Sequence, residues 1–389
     1  MTDRADIVVI GGGMAGASAA AEILAAEPSL RVLLLEGEAR PGYHTTGRSA
    51  ACFIQNYGNA SIRQFNRASR PIFEAHPLAV EVEEAPASLL SPRGILQLDD
   101  GTQAAAFDDL MAEGDGVEAL DEASVHALVP ALRPGSFTRA AYEADAMDID
   151  VDRLHQIYLR FLKQAGGTLV CNARVTALRR ADEVWHLETT AGAFAAPLIV
   201  NAAGAWADQV AQQAGLPPVG LQPLRRSAAL LAPRDGWDVA RWPLTGDLGE
   251  RWYMRPDAGR MMVSPADADL VEPQDAWPDD LVLAEGLDRF ARVFDYEVTR
   301  LEASWAGLRT FAPDKSLVIG FDPAGEGFFW LAGQGGYGIQ TAPAAARLTA
   351  ALVLGKALPP ELAAQTFETE GVSPARFRQG ETAPNAGSA

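Results

Sequence analysis

Residues Asp6–Ile10 read DIVVI and are followed without a break by Gly11–Gly16, which read GGGMAG. The first segment is a short, continuous apolar run of the kind that forms a parallel strand buried on both faces. The alanine-rich stretch Ala15–Ala26 predicts a helix, and Arg31–Leu35 (RVLLL) predicts a second buried strand that leads into Glu36. Together these segments predict a βαβ unit at the start of the chain.

The glycines have the spacing G-x-G-x-x-G after a predicted strand and before a predicted helix, which is typical of a dinucleotide site. Gly11 allows the tight turn, Gly13 lets the backbone approach a pyrophosphate, and Gly16 lets helix and strand pack closely. The first helical turn, which includes Ala15, offers amide groups and partial positive charge to the phosphates. Glu36 lies 20 residues after Gly16, where a carboxylate accepts hydrogen bonds from the adenosine ribose and disfavours the 2′-phosphate of NADP.

Two later apolar runs also stop at small residues and glycine. Leu198–Asn201 (LIVN) precedes Gly204, and Phe328–Ala332 (FFWLA) precedes Gly333 and a predicted helix at about 341–354. Strands that end in glycine turns at distant places predict one parallel sheet built from separated segments. Ligands bind at the carboxyl ends of such strands.

The intervening stretches carry shorter alternating runs and many prolines, which predict a second, more antiparallel domain inserted into the first. The fold class is therefore α/β, with a Rossmann-like cofactor domain and an inserted α+β substrate domain. The predicted boundaries are 1–79, 145–214 and 305–372 for the discontinuous cofactor domain, 80–144 and 215–304 for the substrate domain, and 373–389 for a flexible tail.

The composition disfavours several kinds of binding partner and structural site. The 389 residues carry a formal charge of −19, which disfavours nucleic acid and anionic membrane surfaces as partners. Cys52 and Cys171 are too few for a disulfide framework, and the five histidines show no metal-ligand spacing, so we expect no metal. The sequence shows neither a signal-peptide pattern nor a membrane span, and the expected location is cytoplasmic.

Three segments favour FAD over NAD as the dinucleotide. Gly42–Ala51 (GYHTTGRSAA) is a polar, small-residue segment suited to lie beneath a large cofactor, and Asn201–Trp206 (NAAGAW) ends a strand with small residues. Gly333–Thr341 (GQGGYGIQT) leads into a helix whose N-terminus is a suitable partner for the negative charge of reduced flavin. Each segment alone is a weak signal, whereas their combination is moderately specific.

With Trp305–Arg309 (WAGLR) and Gly335–Gln340 (GGYGIQ), these segments resemble the D-amino acid oxidase-type family of FAD enzymes, which includes glycine oxidases, sarcosine oxidases and D-amino acid dehydrogenases. The likeness is strongest to the D-arginine dehydrogenases and runs from about residue 5 to residue 355. It implies non-covalently bound FAD under a capping substrate domain. The implied reaction is oxidative deamination of a D-amino acid to a 2-oxo acid and ammonia, by hydride transfer from Cα to flavin N5.

The resemblance also implies roles for individual residues. The substrate site would use two arginines that hold a carboxylate, two tyrosines that close over it, and a glycine carbonyl with a neighbouring glutamine for the amine: Arg309, Arg226, Tyr253, Tyr57, Gly336 and Gln340. Arginine forks are the usual means of fixing a carboxylate in one orientation. The implied cofactor contacts are Gly11, Gly13, Ala15, Gly16, Glu36, Gly37, Thr45, Thr46, Arg48, Ser49, Ala50, Ala51, Val175, Ala203, Gly204, Trp206, Gly307, Gly335, Gly336, Tyr337, Gly338 and Ile339.

One departure from the D-arginine dehydrogenases concerns specificity. Where they have an acidic residue that pairs with a cationic side chain, this chain has Ile95, and a guanidinium buried there would lack a partner. We therefore predict a preference for uncharged or apolar D-amino acids, with a wall formed by Ile95, Leu244 and Ile54. Cys52 stands where these relatives have a histidine, so no histidine is available at that position.

Other possibilities stay open at this point. One is a glycine- or sarcosine-type oxidase that acts on N-methyl amino acids, and another is a non-catalytic subunit that only holds FAD. The likeness to dehydrogenases favours a quinone or another carrier over oxygen as the electron acceptor. Tyr57 lies in a short segment with Gly58 as a potential hinge, which predicts a lid that excludes water.

Overall fold

The computed structural model of the chain describes residues 3–378. Within this range its helices, in chain order, are α1 (Met14–Ala26), α2 (Ala60–Glu74), α3 (Ala79–Val82), α4 (Ala104–Glu113), α5 (Glu122–Leu128), α6 (Val151–Gln164), α7 (Ala207–Gln213), α8 (Asp280–Val293), α9 (Gly338–Val353) and α10 (Pro360–Ala363).

The strands of the first half are β1 (Asp3–Arg4), β2 (Ile7–Ile10), β3 (Val32–Leu35), β4 (Cys52–Phe53), β5 (Leu90–Pro92), β6 (Ile95–Asp99), β7 (Val117–Leu120), β8 (Arg139–Glu143), β9 (Met147–Ile149), β10 (Thr168–Val170), β11 (Val175–Ala181), β12 (Val184–Thr189), β13 (Gly192–Ala196) and β14 (Leu198–Asn201). Those of the second half are β15 (Gln222–Leu231), β16 (Leu244–Asp247), β17 (Tyr253–Asp257), β18 (Arg260–Ser264), β19 (Asp269–Leu270), β20 (Ala303–Phe311), β21 (Val318–Phe321), β22 (Phe328–Ala332) and β23 (Gln334–Gly335).

The predicted parallel sheet is confirmed. Its strand order is β10-β3-β2-β14-β22-β21, and only the edge strand β21 runs antiparallel to its neighbour. Strand residues of β2, β3, β14 and β22 point alternately to two apolar layers: Val9 and Leu34 pack toward α1, α6 and α9, whereas Val8 and Leu33 pack toward α7 and the sheet β1-β13-β12-β11. Burial on both faces explains why these strands are continuous apolar runs.

The second domain is built on a large sheet with the order β23-β20-β15-β18-β17-β16-β6-β8-β7. Neighbouring strands are antiparallel except for the parallel pair β6 and β16. One face packs against α8 through an apolar cluster that includes Met254, Val263 and Phe290. The α+β character predicted for this domain is confirmed, and the opposite face of the sheet is left to cover the cofactor domain.

Two segments differ from the predicted boundaries. Strand β20, which we assigned to the cofactor domain within 305–372, pairs along its length with β15 in the large sheet. Ser373–Arg378, assigned to the flexible tail, includes a short 3-10 helix, and Arg376 pairs with Asp314 at 2.7 Å. The remainder of that predicted tail lies outside the described residues. No helix among the described residues has both the length and the apolar character needed to cross a membrane.

Candidate active site

A cavity of about 500 Å³ lies between the carboxyl ends of the parallel strands and the inner face of the large sheet. At one end it is bounded by the glycine-rich turn after β2, and at the other by strands β6, β8 and β16. It thus extends from the predicted dinucleotide site to the predicted substrate site.

The glycine-rich turn has the geometry that its spacing predicts. Gly11 has a φ of +108°, and a Cβ there would lie 2.4 Å from the backbone oxygen of Ala202. A Cβ on Gly16 would lie 1.9 Å from the backbone oxygen of Gly11, so close packing of α1 on the turn needs glycine at both positions. Gly13 and Ala15 border the cavity at the N-terminus of α1. The turn is therefore a cradle in which backbone amide groups can approach a phosphate.

Glu36 is buried at the end of β3 and holds the loops around it. Its Oε2 accepts a hydrogen bond from the amide of Gly12 at 2.9 Å, and its Oε1 accepts one from the amide of Glu38 at 2.8 Å. His155 supports the same turn from behind, with Nε2 3.0 Å from the backbone oxygen of Gly12. The carboxylate borders the cavity and retains lone pairs for a ribose hydroxyl.

The segment Gly42–Ala51 lies between the two domains, and its hydrogen bonds connect them. Thr46 Oγ1 accepts from the amide of Met14 at 2.9 Å, while Thr45 Oγ1 donates to the backbone oxygen of Leu308 at 2.8 Å. The Arg48 guanidinium donates to the backbone oxygen of Ala306 at 2.9 Å and pairs with Asp275 at 2.5 Å. Because these contacts occupy the Arg48 guanidinium, only the rest of the Arg48 residue is available to contact a cofactor.

The N-terminus of α9 borders the cavity through Gly338, Ile339 and Gln340, as predicted. The Gln340 side chain, which we assigned to the substrate, is instead buried and engaged: its Oε1 accepts from the amide of Ile54 at 3.0 Å and its Nε2 donates to Asn66 Oδ1 at 2.9 Å. Gln340 therefore holds neighbouring protein segments in place.

The strand register gathers the substrate-site residues on one face of the large sheet. Arg226 pairs with Gly307 and Leu224 pairs with Arg309, so the two arginines are diagonal neighbours on adjacent strands. Continuing across the sheet, Tyr253 lies opposite Gly246 and Leu244 lies opposite Ile95. All of these residues except Leu224 border the cavity, so this face forms its roof.

The two arginines form a local excess of positive charge. No carboxylate of the described residues lies within salt-bridge distance of Arg309, and the partner of Arg226 is Glu250 at 3.9 Å, whose side chain is 54% exposed. Arg226 Nε is buried and has no hydrogen-bond partner within residues 3–378. Burial, and then the charge of Arg309, lowers the pKa of Arg226 below its usual value. An anionic ligand between the two guanidinium groups would relieve both effects.

The tyrosines lie beside this pair. Arg309 Nη1 donates to Tyr57 Oη at 3.5 Å, and Tyr253 borders the cavity on β17. Asn66 fixes the backbone of the Tyr57 loop. Its Nδ2 donates to the backbone oxygens of Ile54, Gln55 and Tyr57 at 3.0 to 3.3 Å. These bonds oppose the lid motion that the sequence predicted for this loop.

The predicted wall residues are close together. Ile95 and Leu244 form a small apolar cluster with Ala146, against which Ile54 and Tyr253 pack. Cys52 packs on the same cluster, and burial raises the pKa of its thiol to about 12, which leaves it protonated at neutral pH. This part of the cavity is suited to an apolar group.

Two of the predicted site residues do not border the cavity. Gly16 packs against the turn, and Tyr337 is buried behind Tyr57 with its hydroxyl donating to the backbone oxygen of Lys315 at 3.0 Å. Every other predicted site residue borders the cavity. The sequence analysis missed Glu143 and Glu250, which also border it, and Asn66, which holds the Tyr57 loop.

The residues present fit FAD. The glycine cradle, Glu36 and Val175 lie where the adenosine and phosphates would be held, and Ala203, Gly204 and Trp206 follow β14 along the same cavity. The segment Thr45–Ala51 and the N-terminus of α9 border the part that faces the arginines, where the isoalloxazine ring would be bound.

Comparisons with known proteins identify the family of the chain. Residues 6–352 match the family model described as DAO, FAD dependent oxidoreductase. FAD-dependent oxidoreductase domain-containing protein 1 of Bos taurus is 26% identical, over 90% of this chain and 82% of its own length. Human mitochondrial dimethylglycine dehydrogenase is 24% identical over 87% of this chain, which spans only 41% of that protein.

Among solved structures, glycine oxidase from Geobacillus kaustophilus has the same fold, with a TM-score of 0.80 at 22% identity over 96% of this chain and 98% of its own. These relatives do not support a close likeness to the D-arginine dehydrogenases. They do support membership of the broader family. The chain belongs to the DAO family of FAD-dependent oxidoreductases, with FAD as its cofactor.

Proposed function

We propose that this protein catalyses the oxidative deamination of D-amino acids to 2-oxo acids and ammonia, with a preference for uncharged or apolar side chains. The proposal rests on one observation above all: Arg226 and Arg309 lie side by side and half-buried on one face of a sheet, above the site that fits FAD, and lack a buried carboxylate partner among the described residues. A substrate carboxylate supplies the missing negative charge.

The residues of the chain position the substrate. The two guanidinium groups bind the carboxylate, and the Tyr57 hydroxyl, 3.5 Å from Arg309, borders the same space. The backbone oxygen of Gly336 is a suitable acceptor for the substrate amine, which reacts in its neutral form. Bound FAD supplies the hydride acceptor. Fixing the carboxylate and amine together leaves the Cα hydrogen one direction in which to leave, which contributes to rate through orientation.

A protein base is not needed for this reaction. The amine can lose its proton to solvent before the hydride leaves, and hydrolysis of the resulting imino acid needs only water. The chain is consistent with this, because Cys52 is held as a thiol and His155 is used to support the glycine-rich turn. Catalysis thus depends on binding geometry more than on proton transfer to the protein.

Side-chain preference follows from the wall of Ile95, Leu244 and Ile54. A cationic side chain against this wall would lose its hydration, which costs several kcal/mol unless a partner compensates. An apolar side chain gains about 25 cal/mol for each Å² that it buries. The choice of the D enantiomer rests on the sequence motifs shared with D-amino acid dehydrogenases.

The test is anaerobic reduction of the flavin by both enantiomers of leucine, methionine, phenylalanine, arginine and lysine, measured by loss of absorbance at the flavin band. We expect the D enantiomers of the first three to reduce it fastest. Faster reduction by D-arginine would refute the side-chain preference, and faster reduction by the L series would refute the stereochemistry. Acid precipitation should leave the yellow colour in the supernatant if the FAD is bound non-covalently, as we propose.

A second candidate is oxidation of an N-methyl amino acid, because dimethylglycine dehydrogenase is among the relatives. Sarcosine and dimethylglycine belong in the same reduction panel and would identify this function directly. For the electron acceptor we propose a quinone or another carrier. Reoxidation of the reduced enzyme by a soluble quinone should then be faster than reoxidation by air-saturated buffer.

A further inference from the structure

Glu143 is a carboxyl group that the proposed chemistry leaves unused. It lies on β8 directly opposite Ile95, its residue is only 2% exposed, and it borders the cavity. Its Oε1 is buried and has no hydrogen-bond partner among the described residues. Burying a polar atom without a hydrogen-bond partner is unfavourable, so this oxygen at the cavity is available to accept a hydrogen bond from a ligand.

The position of Glu143 relates it to the carboxylate-binding arginines. Asn56 and the backbone of Gln55 lie beside the Glu143 carboxyl, and the next residue, Tyr57, contacts Arg309. Glu143 and Arg309 are thus contacted by consecutive residues of one loop, Asn56 and Tyr57, whose Cα atoms are about 3.8 Å apart. Ile95 and Glu143 are opposite residues on neighbouring strands and both border the cavity, so a substrate side chain that packs against Ile95 lies next to the Glu143 carboxyl.

Neutral groups lie next to the Glu143 carboxyl, among them Ile95, the Asn56 side chain and the backbone of Gln55. Burial raises the pKa of this carboxyl, and the nearby amides of Asn56 and Gln55 offset that rise only in part. The free Oε1 is an acceptor, and a carboxamide N–H is a neutral donor that can hydrogen-bond to it. Gln97, next along the same face of β6, also borders the cavity and adds a neutral polar group.

We propose that Glu143 is a specificity-determining residue, whose carboxyl hydrogen-bonds a terminal carboxamide on the side chain of the substrate. This inference rests on the proposed function, since it assumes that Arg226 and Arg309 hold the substrate carboxylate. It refines the preference for uncharged substrates by adding a polar terminus beyond the apolar wall.

The test measures binding separately from turnover. Glutaramic acid and hexanoic acid have the same chain length and a carboxylate, but only the first ends in a carboxamide. Each is titrated into the FAD-loaded enzyme, and the dissociation constant is read from the change in flavin absorbance. We expect glutaramic acid to bind at least tenfold more tightly. Equal affinity in the unchanged enzyme would overturn the inference, whatever the variants do.

The variants assign the preference to Glu143. In Glu143→Leu the two acids should bind equally, whereas Glu143→Gln, which keeps a donor and an acceptor, should retain most of the preference. The matched control is Glu118→Leu, on the neighbouring strand and on the other face of the sheet, where the glutamate is exposed. A preference that survives in Glu143→Leu would contradict the assignment.

Two further outcomes are distinguishable. If 6-aminohexanoic acid, which ends in an ammonium group, binds more tightly than glutaramic acid, the preference for a neutral terminus is wrong. If neither carboxylate changes the flavin spectrum, the carboxylate site of the proposed function fails and the inference about Glu143 fails with it.

Discussion

Replacing Arg309 with lysine tests the substrate site most directly. The half-buried guanidinium can hold a carboxylate with two parallel hydrogen bonds, whereas an ammonium in the same place keeps the charge and loses this bidentate geometry. Hydrogen bonds to charged groups contribute about 1.5–3 kcal/mol each. Because each 1.4 kcal/mol is a factor of ten, we expect kcat/KM to fall by roughly 10- to 150-fold for the best D-amino acid. Part of the loss should appear in kcat, since a tilted carboxylate displaces the Cα hydrogen.

The assay is anaerobic stopped-flow reduction of the flavin, which separates the rate of reduction from the substrate dissociation constant. Arg226→Lys should behave similarly, because its side chain shares the same face of β15 and β20. Arg225→Lys is the matched control: it is the adjacent residue, but its guanidinium pairs with Asp269 at 2.8 Å and does not border the cavity. A kcat/KM within twofold of the unchanged enzyme for Arg309→Lys, at equal FAD content, would refute its role.

Three further changes have defined outcomes. Gly16→Ala places a Cβ 1.9 Å from the Gly11 oxygen and should abolish FAD binding, judged by the ratio of flavin to protein absorbance, whereas Gly371→Ala, with open space around it, should not. Asn66→Leu removes the donor to three loop carbonyls and should raise KM for the substrate with little change in FAD content; an unchanged KM would show that the loop needs no such support. Burial lowers the pKa of His76 to about 4, below its unfolded value, so the folded state resists protonation and its stability is lost as pH falls from about 6.5 toward 4. A shift of this size corresponds to about 3 kcal/mol in the unfolding free energy, a loss that His76→Phe should not show when urea unfolding is compared at pH 7 and pH 4.

The parts of the fold that the sequence predicts well depend on neighbours in the chain. The strands β2, β3, β14 and β22 are apolar runs because both of their faces are buried, and this signal is local. The glycine fingerprint is equally local, since the turn, the phosphate approach and the helix packing involve six consecutive residues. These features identify the cofactor domain without knowledge of the rest of the molecule.

The parts that were missed depend on contacts between distant segments. The sequence of β20 does not show that its partner strand is β15, about 80 residues earlier. We placed β20 in the cofactor domain because of its position in the chain, whereas it pairs within the large sheet. Glu143 stands at the end of an ordinary alternating strand, and only the pairing of β8 with β6 places it opposite Ile95. Asn66 had a usable signal, because it falls on the buried face of α2 with Phe65 and Ser69, where a polar residue needs a partner.

The proposed cofactor site and the proposed substrate site depend on different features of the sequence. This difference affects how substrate specificity can change. At the proposed cofactor site FAD would be held largely by backbone at glycine turns, where the limited space and the positive φ of Gly11 exclude other residues. The proposed substrate site consists of side chains on one face of a sheet whose other face carries the core with Met254 and Phe290. Because neighbouring residues on a strand point to opposite faces, an exchange at Ile95 alters the cavity without altering that core. Substrate range can therefore vary within this fold while the cofactor site and the stability of the domain stay the same.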